Sequence, residues 1–271
     1  MSLTIASWNI NSVRLRAGLV TDFLQTHRPD VLCLQETKCP DDRFPFSDFR
    51  KLGYEHIAIC GQKGYHGVAI LSRLPFDPCG SRQFCGKTDA RHIAVKLGDA
   101  AKGGKGITIH NFYVPAGGDI PDPDLNDKFA HKLGFLDEMR DWTGLDGLGA
   151  GRQVLVGDLN IAPLENDVWS HKQLLDVVSH TPIECEKLTH VLERGDWVDA
   201  IRTLRPEPER VYTWWSYRAP DWEKANKGRR LDHAWLSREL GGSLASCRIL
   251  QEARGWERPS DHVPVMVTLE V

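Results

Sequence analysis

The chain has 271 residues, of which 41% are hydrophobic and 26% charged, with a formal net charge of −3 at pH 7. This length and apolar content are enough for a sizeable α/β core. We interpret residues 1–271 as a single domain, because no Gly/Ser-rich or Pro-rich linker and no block of like charge interrupts them. The charge excludes a protein that binds nucleic acid by bulk basicity, so such a partner would need local basic patches and bound metal.

The sequence contains no signal for a membrane protein. No apolar run approaches the ~20 residues that span a bilayer, and the N-terminus lacks the basic region and apolar core of a signal peptide. We therefore expect a soluble, cytoplasmic protein with no membrane partner. The seven cysteines are odd in number and form no Cys-x-x-Cys pair, which indicates neither a disulfide framework nor a zinc site.

The first predicted unit is a strand, a helix and a second strand. Residues 3–8 predict a strand that ends at Asn9 and Asn11. Apolar residues at helical spacing then begin at Val13, and a short buried strand leads into Glu36. Both strands thus end in side chains able to bind a divalent cation. Considered alone, Glu36 would be taken for an exposed loop acid.

Two strand pairs and a long helix follow. Residues 54–72 predict two strands joined by a glycine-rich hairpin loop, and residues 91–113 predict a second pair. Tyr113 ends that pair just before a proline, a position typical of a half-buried tyrosine with a solvated hydroxyl. A helix is predicted from about Leu125 to Trp142. Its outer face is expected to carry Lys128, His131, Lys132 and Arg140.

The central predicted strand covers residues 153–156, after which Gly157 is expected to let the backbone turn as it leaves the sheet. Asp158 and Asn160 follow two positions apart, which places both side chains toward one side of the chain. Alone, this pattern would more often be a turn whose aspartate binds its own backbone. Similar polar groups after other strands favour a functional site instead.

The last third of the chain carries more of these groups. Residues 231–236 predict a strand with Asp232 near its start, and Asp261 and His262 stand just before the final strand. The two halves of the chain are similar in plan. This similarity predicts two face-to-face mixed sheets with helices on their outer surfaces and a site where strand ends converge.

Seven short motifs occur in order along the chain and together resemble one family. They are Ser7-Trp8-Asn9-Ile10-Asn11, Leu34-Gln35-Glu36-Thr37-Lys38, Gly61-Gln62-Lys63-Gly64-Tyr65-His66-Gly67-Val68-Ala69, Asn111-Phe112-Tyr113-Val114-Pro115, Gly157-Asp158-Leu159-Asn160, Arg230-Leu231-Asp232-His233 and Ser260-Asp261-His262-Val263-Pro264. The chain resembles the bacterial exonuclease III family, within the endonuclease/exonuclease/phosphatase superfamily, from residue 2 to its C-terminus.

The resemblance implies a four-layered α/β sandwich of the DNase I-like type. It also implies a DNA-repair nuclease that hydrolyses phosphodiesters in double-stranded DNA, as a 3′-to-5′ exodeoxyribonuclease and as a class II apurinic/apyrimidinic endonuclease on abasic-site DNA. Mg²⁺ is the expected cofactor, with Mn²⁺ as a substitute, and the expected state is a monomer. Hydrolysis of this kind suits oxygen-ligated magnesium.

Roles for individual residues follow from the same resemblance. The expected metal ligands are Glu36, Asn11, Asp158, Asn160 and Asp261. The expected catalytic residues are Tyr113, Asp158, Asn160, Asp232 and His262. The expected substrate-binding residues are Asn9, Lys38, Trp214, Arg229 and Leu231. Asp158 would be the general base or would manage the leaving-group proton, and His262 would donate to a phosphoryl oxygen while Asp232 holds its ring.

Two departures from the family pattern stand out. Where animal abasic endonucleases have an asparagine after the tyrosine motif, this chain has Ala116-Gly117-Gly118. At the expected abasic-sugar pocket, Arg229 makes one wall cationic, and Trp214 could equally be a core residue.

Two other function classes stay open from the sequence. Phosphatases of phosphoinositides and sphingolipids share the same superfamily, and a DNA-binding module could have lost its catalysis. Such a module would be recognised by loss of Glu36, Asp158 or His262, and all three are present.

Overall fold

The computed structural model describes residues 2–144, 147–219 and 221–271. Its strands are β1 (Ser2–Asn9), β2 (Val31–Gln35), β3 (His56–Cys60), β4 (Val68–Ser72), β5 (Phe76–Gly80), β6 (His92–Leu97), β7 (Thr108–Tyr113), β8 (Gln153–Asp158), β9 (Trp197–Asp199), β10 (Trp214–Trp215), β11 (Gly228–Arg229), β12 (Asp232–Ser237), β13 (Leu244–Ile249) and β14 (Val265–Glu270). Its α-helices are α1 (Ala17–His27), α2 (Phe46–Arg50), α3 (Asp127–Asp141), α4 (His171–Leu174), α5 (Pro182–Arg194), α6 (Ala200–Leu204), α7 (Trp222–Ala225) and α8 (Arg238–Gly241). Four 3-10 helices cover Asp41–Arg43, Asp99–Gly104, Glu165–Asp167 and Gln251–Gly255.

Two six-stranded sheets organise the fold. The first has the order β13-β14-β1-β2-β4-β3 and the second the order β5-β6-β7-β8-β12-β9. Each contains one parallel pair, β1 with β2 and β7 with β8, among antiparallel neighbours. The predicted mixed sheets and the similar plan of the two halves are therefore confirmed. The short hairpin of β10 and β11 forms a separate two-stranded sheet.

The sheets pack face to face, and helices cover their outer surfaces. Side chains such as Ile5 of the first sheet and Val156 of the second form the core between the sheets. On the outer side of the first sheet, α1 packs against Trp8. On the outer side of the second, α3 and α5 pack around Leu155. These four layers confirm the α/β sandwich that the sequence resemblance implies.

Helix α1 begins at Ala17, four residues later than the apolar spacing predicts. The backbone takes a left-handed conformation at Asn11 and Ser12, with φ of 48° and 90°. The N–H groups of Ser12 and Val13 donate to carbonyls of the loop after β2, at 2.7 and 3.1 Å. The prediction from Val13 was wrong because these long-range bonds hold residues 11–13 in a non-helical conformation, although the side-chain spacing suits a helix.

Helix α3 confirms the predicted long helix within two residues at its start and one at its end. Lys132, however, is completely buried on this helix, so its assignment to the outer face was wrong. Among the described residues, no helix has the length and apolar character needed to cross a membrane.

Candidate active site

The register of the sheets brings the predicted residues to one edge of the sandwich. Asp158, the last residue of β8, pairs with Tyr113 of β7 on one side and with Asp232 of β12 on the other. In the facing sheet, Asn9 ends β1 and Glu36 follows the adjacent parallel strand β2. Strand ends from both sheets therefore meet at one place, as the sequence predicts.

Gly157 lies inside β8 and does not mark its end. Its φ is 142°, and a Cβ atom there would lie 2.0 Å from the carbonyl oxygen of Phe112 on β7. The expected turn at this glycine was wrong. Glycine is required because β7 and β8 approach too closely for a side chain, and the chain turns only at Asn160, where φ is 55°.

Asp158 is fully buried and is surrounded by donors. Its Oδ2 accepts from the side-chain amides of Asn9 at 2.8 Å and Asn160 at 3.1 Å, and its Oδ1 accepts from the Asn160 N–H at 2.9 Å. Burial raises the pKa of Asp158 to about 7, although the nearby His262 acts in the opposite direction. A carboxyl with this pKa can gain or lose a proton near neutral pH.

His262 lies between two buried carboxylates. Its Nδ1 is 2.8 Å from Asp232 Oδ2, and its Nε2 is 3.6 Å from Asp158 Oδ2. Burial alone would lower the pKa of His262, but the charges of Asp232 and Asp158 outweigh it and raise the pKa to about 10. The ring is therefore an imidazolium at neutral pH and presents N–H donors on both sides.

Glu36 belongs to a second, more open group. Its Oε1 accepts from Asn9 Nδ2 at 2.9 Å, and its Oε2 is 2.7 Å from Lys38 Nζ. The same ammonium donates to Asn11 Oδ1 at 2.6 Å, and Asn11 Nδ2 donates to Asp261 Oδ1 at 3.1 Å. Burial acts to raise the pKa of Glu36, but Lys38 and the Asn9 amide outweigh it and hold the pKa below its ordinary value.

Two sets of side chains offer ligands to a cation. Asp158, Asp232 and His262 place ligand atoms within 4.8 Å of one another and could hold a metal ion. In this set His262 faces carboxylates through both nitrogens, and its protonation leaves no free lone pair for a metal. Neither Asp232 nor His262 was predicted to be a metal ligand. The oxygens of Glu36, Asn11 and Asp261 are the hard donors that Mg²⁺ prefers.

Tyr113 is buried beneath Arg91, so the half-buried position expected for it was wrong. Arg91 itself was not predicted as a site residue. The Arg91 guanidinium lies 4.9 Å from the centre of the Tyr113 ring, and its Nη1 donates to the Tyr113 carbonyl at 3.2 Å. Burial raises the pKa of Tyr113 well above its ordinary value, so its hydroxyl keeps its proton. An arginine at the start of a strand carries no distinctive sequence signal, which is why it was missed.

Comparison with known proteins places this geometry in a family. Residues 6–262 match the Endonuclease/Exonuclease/phosphatase family. The chain belongs to this family. Exodeoxyribonuclease III of Haemophilus influenzae is 28% identical over 266 residues, which cover 96% of this chain and 97% of that relative. The resemblance stated from the motifs is thereby confirmed.

Two solved structures of similar proteins extend the comparison. An AP endonuclease from Archaeoglobus fulgidus has a TM-score of 0.89 and 32% identity, covering 99% of this chain and 100% of that one. A 3′ phosphatase, NExo, from Neisseria bound to product DNA hairpin has a TM-score of 0.82 and 30% identity, with the same coverage of 99% and 100%. Both likenesses extend over nearly the whole chain.

The expected pocket residues of this endonuclease/exonuclease/phosphatase chain lie together. Trp214 and Arg229 pair across the β10–β11 hairpin, and the guanidinium lies 5.3 Å from the centre of the indole. Trp214 Nε1 donates to Asp261 Oδ2 at 3.0 Å, which joins this wall to the Glu36 group. Leu231 is buried against Trp214. Of the two neighbouring tryptophans, Trp215 is buried in the core, whereas Trp214 is only half-buried.

Proposed function

We propose that the chain is a DNA-repair nuclease that hydrolyses phosphodiester bonds in double-stranded DNA, at abasic sites and from 3′ ends. The observation that carries this proposal is the buried Asp158, surrounded by the amides of Asn9 and Asn160 and by the imidazolium of His262. The names of the similar proteins, an exodeoxyribonuclease, an AP endonuclease and a phosphatase on a DNA hairpin, support DNA as the substrate.

The proposed reaction is attack of water on the phosphorus, with cleavage of the bond to the leaving 3′-oxygen. Asp158 takes the proton from the attacking water, because a carboxyl with a pKa of about 7 can exchange a proton near neutral pH. Asn9 and Asn160, which already donate to Asp158, orient the water and the phosphate. The water enters the product as the new phosphate oxygen, and the 3′-oxygen departs and gains a proton.

Charge that develops on the phosphoryl oxygens is met by fixed donors. His262 donates from Nε2, while Asp232 at Nδ1 holds its ring and keeps it protonated. The neutral hydroxyl of Tyr113 is a second donor at the same edge of the sheet. Such donors stabilise a transition state because their orientation is set before the reaction begins.

Mg²⁺ is the proposed cofactor, and Mn²⁺ the substitute. Glu36, Asn11 and Asp261 would hold it, and Asp158 with Asn160 offers a second oxygen set. When bound, a divalent cation neutralises charge on the phosphoryl and leaving oxygens. Lys38, which contacts Glu36 and Asn11, is then proposed to turn toward a backbone phosphate.

The proposed pocket for an abasic sugar is formed by Trp214, Arg229 and Leu231. The indole offers an apolar face, and the guanidinium offers a charge to a backbone phosphate at the pocket rim.

We further propose that residues 1–271 act as one catalytic domain, as a monomer in the cytoplasm. The contribution of both sheets to one site supports a single domain.

The test is incubation of the purified protein with labelled duplexes, one abasic and one intact, with Mg²⁺ or with excess chelator. We expect incision at the abasic site and shortening from 3′ ends with Mg²⁺ and neither with chelator. Asp158→Asn serves as the matched inactive control for contaminating nucleases. If both duplexes stay intact in Mg²⁺ and in Mn²⁺, the proposed function is wrong.

A further inference from the structure

A buried ion pair lies directly behind the candidate active site. Lys132 of α3 and Glu184 of α5 are in contact, and neither side chain has any exposed surface. Removing two charges from water is strongly unfavourable unless further hydrogen bonds compensate. The other bonds that this pair makes therefore indicate why the fold contains it.

The Lys132 ammonium joins two loops of the site. Its Nζ donates to the carbonyl of Asn160 at 2.8 Å and to the carbonyl of Ala116 at 3.2 Å. Asn160 is in a left-handed conformation, with φ of 55°, and from there its amide reaches Asp158. Ala116 lies in the loop that follows Tyr113. One cation thus holds the backbone behind both β7 and β8.

The loop after Tyr113 is shaped to lie over this lysine. Gly117 has φ of 91°, and a Cβ atom there would lie 2.9 Å from Lys132 Cδ and 2.9 Å from Val178 Cγ1. A residue with a side chain would lift the loop away from the ammonium. This contact accounts for glycine within Ala116-Gly117-Gly118, where the chain departs from the animal abasic endonucleases.

Glu184 extends the network to the pocket wall. Its carboxylate accepts from the Ser179 N–H at 3.0 Å and from the Thr181 hydroxyl at 2.6 Å. The Ser179 hydroxyl in turn accepts from Arg229 Nη1 at 2.7 Å. Lys132 therefore contacts the backbone of the loops after β7 and β8, and Glu184 contacts the turn that holds Arg229.

We propose that Lys132, with Glu184 as its counter-ion, is a positioning residue that holds Asn160 and the loop after Tyr113 in the arrangement needed for phosphodiester hydrolysis. The inference rests on the proposed function and deepens it. Lys132 makes no hydrogen bond to Asp158, although the two charges interact, and it does not reach the solvent-facing edge where DNA would bind. Its direct contacts with the site are the two backbone carbonyls. Its loss should impair the chemical step more than DNA binding.

The main test uses the double variant Lys132→Met/Glu184→Gln, which removes the ammonium without stranding a buried carboxylate. The matched control is Lys187→Met. Lys187 also links α5 to α3 by an ion pair, with Asp137 at 2.6 Å, but on the surface. Three quantities are measured for each protein: duplex affinity, the single-turnover rate on abasic duplex, and amide hydrogen exchange of residues 114, 116–118 and 158–162.

We expect the double variant to bind duplex within about threefold of the parent while its single-turnover rate falls roughly 10- to 100-fold, the scale of a small misplacement of a reacting group. Exchange should become faster in the two loop segments and stay as in the parent elsewhere. Lys187→Met should match the parent in all three measurements. Equal losses in affinity and rate, or unchanged exchange in the two loops, would overturn the inference.

Two further arms keep the test decisive. If the double variant does not fold, Gly117→Ala replaces it, because that change leaves the ion pair intact but forces the loop off Lys132. It should lower the single-turnover rate at least about fivefold with affinity retained, and a parent-like rate would overturn the inference. A parent that cleaves neither duplex refutes the proposed function instead, and the exchange measurement still decides whether Lys132 positions the loops.

Discussion

Replacement of Asp232 by asparagine tests the charge arrangement around His262 most directly. The carboxylate of Asp232 is fully buried and lies 2.8 Å from His262 Nδ1, whereas Asp158 lies 3.6 Å from the other ring nitrogen. Of the groups that raise the pKa of His262, Asp232 contributes most. Asparagine keeps the size of the side chain but removes its charge, and with the charge goes the charge-assisted hydrogen bond that anchors the ring.

The magnitude follows from the pKa values. The surroundings move the pKa of His262 from its ordinary 6.5 to about 10. At about 1.4 kcal/mol for each pKa unit, the surroundings favour the imidazolium over the neutral ring by roughly 5 kcal/mol. This is the net value, with the opposing effect of burial included. Loss of the largest favourable charge should lower the pKa by at least ~1, and the rate at neutral pH should fall about 100-fold because the ring also loses its anchor.

The assay is the single-turnover rate on abasic duplex between pH 5.5 and 10.5. In the parent, the rate should rise as pH passes about 7, where Asp158 becomes a carboxylate, and fall as pH passes about 10, where His262 loses its proton. Asp232→Asn should move the alkaline fall to lower pH, and Asp196→Asn, at an exposed acid paired with Arg238, should not. An alkaline fall unchanged in Asp232→Asn, with a rate within a few-fold of the parent, would refute this reasoning.

Four further predictions use the same duplexes. Cleavage should stop in excess chelator and return with Mg²⁺ or Mn²⁺. In a metal titration, Glu36→Gln should raise the half-saturating metal concentration at least ~10-fold, because the change removes an anionic ligand. Asp158→Asn and His262→Asn should each bind duplex normally in a mobility-shift assay but turn over at least ~100-fold more slowly. If the turnover rate of either variant stays within a few-fold of the parent, the replaced residue is not a catalytic group. Arg229→Ala should weaken intact and abasic duplexes alike and reduce the slope of log affinity against log salt by roughly one. Trp214→Ala should selectively reduce abasic cleavage relative to 3′-end degradation, and equal loss of both activities with a lower melting temperature would instead indicate a core role.

Most of the strands, their polar ends and the family motifs could be recognised from the sequence alone, whereas β5, β9 and β11 were not predicted. Alternating or continuous apolar residues mark a buried strand locally. A polar group at its end or just beyond it, such as Asn9, Glu36 or Asp158, marks the point where the strand reaches the edge of the sheet. The same local pattern gave the wrong start for α1. At Val13 the side-chain spacing is helical, but backbone bonds to the distant loop after β2 decide the conformation.

Only the tertiary structure decided which charged groups meet inside the protein. Asp158 and Asp232 lie opposite each other through the register of β8 and β12, and the segment before β14 of the other sheet brings His262 between their charges. Lys132 shows most clearly which property of a residue could not be predicted from the sequence. A lysine in a helical pattern looks like a surface residue, because sequence spacing records the burial of apolar side chains and carries no sign of a counter-ion on another helix. Its burial depends on Glu184 and on two carbonyls that converge only when α3, α5 and the loops after β7 and β8 have packed together.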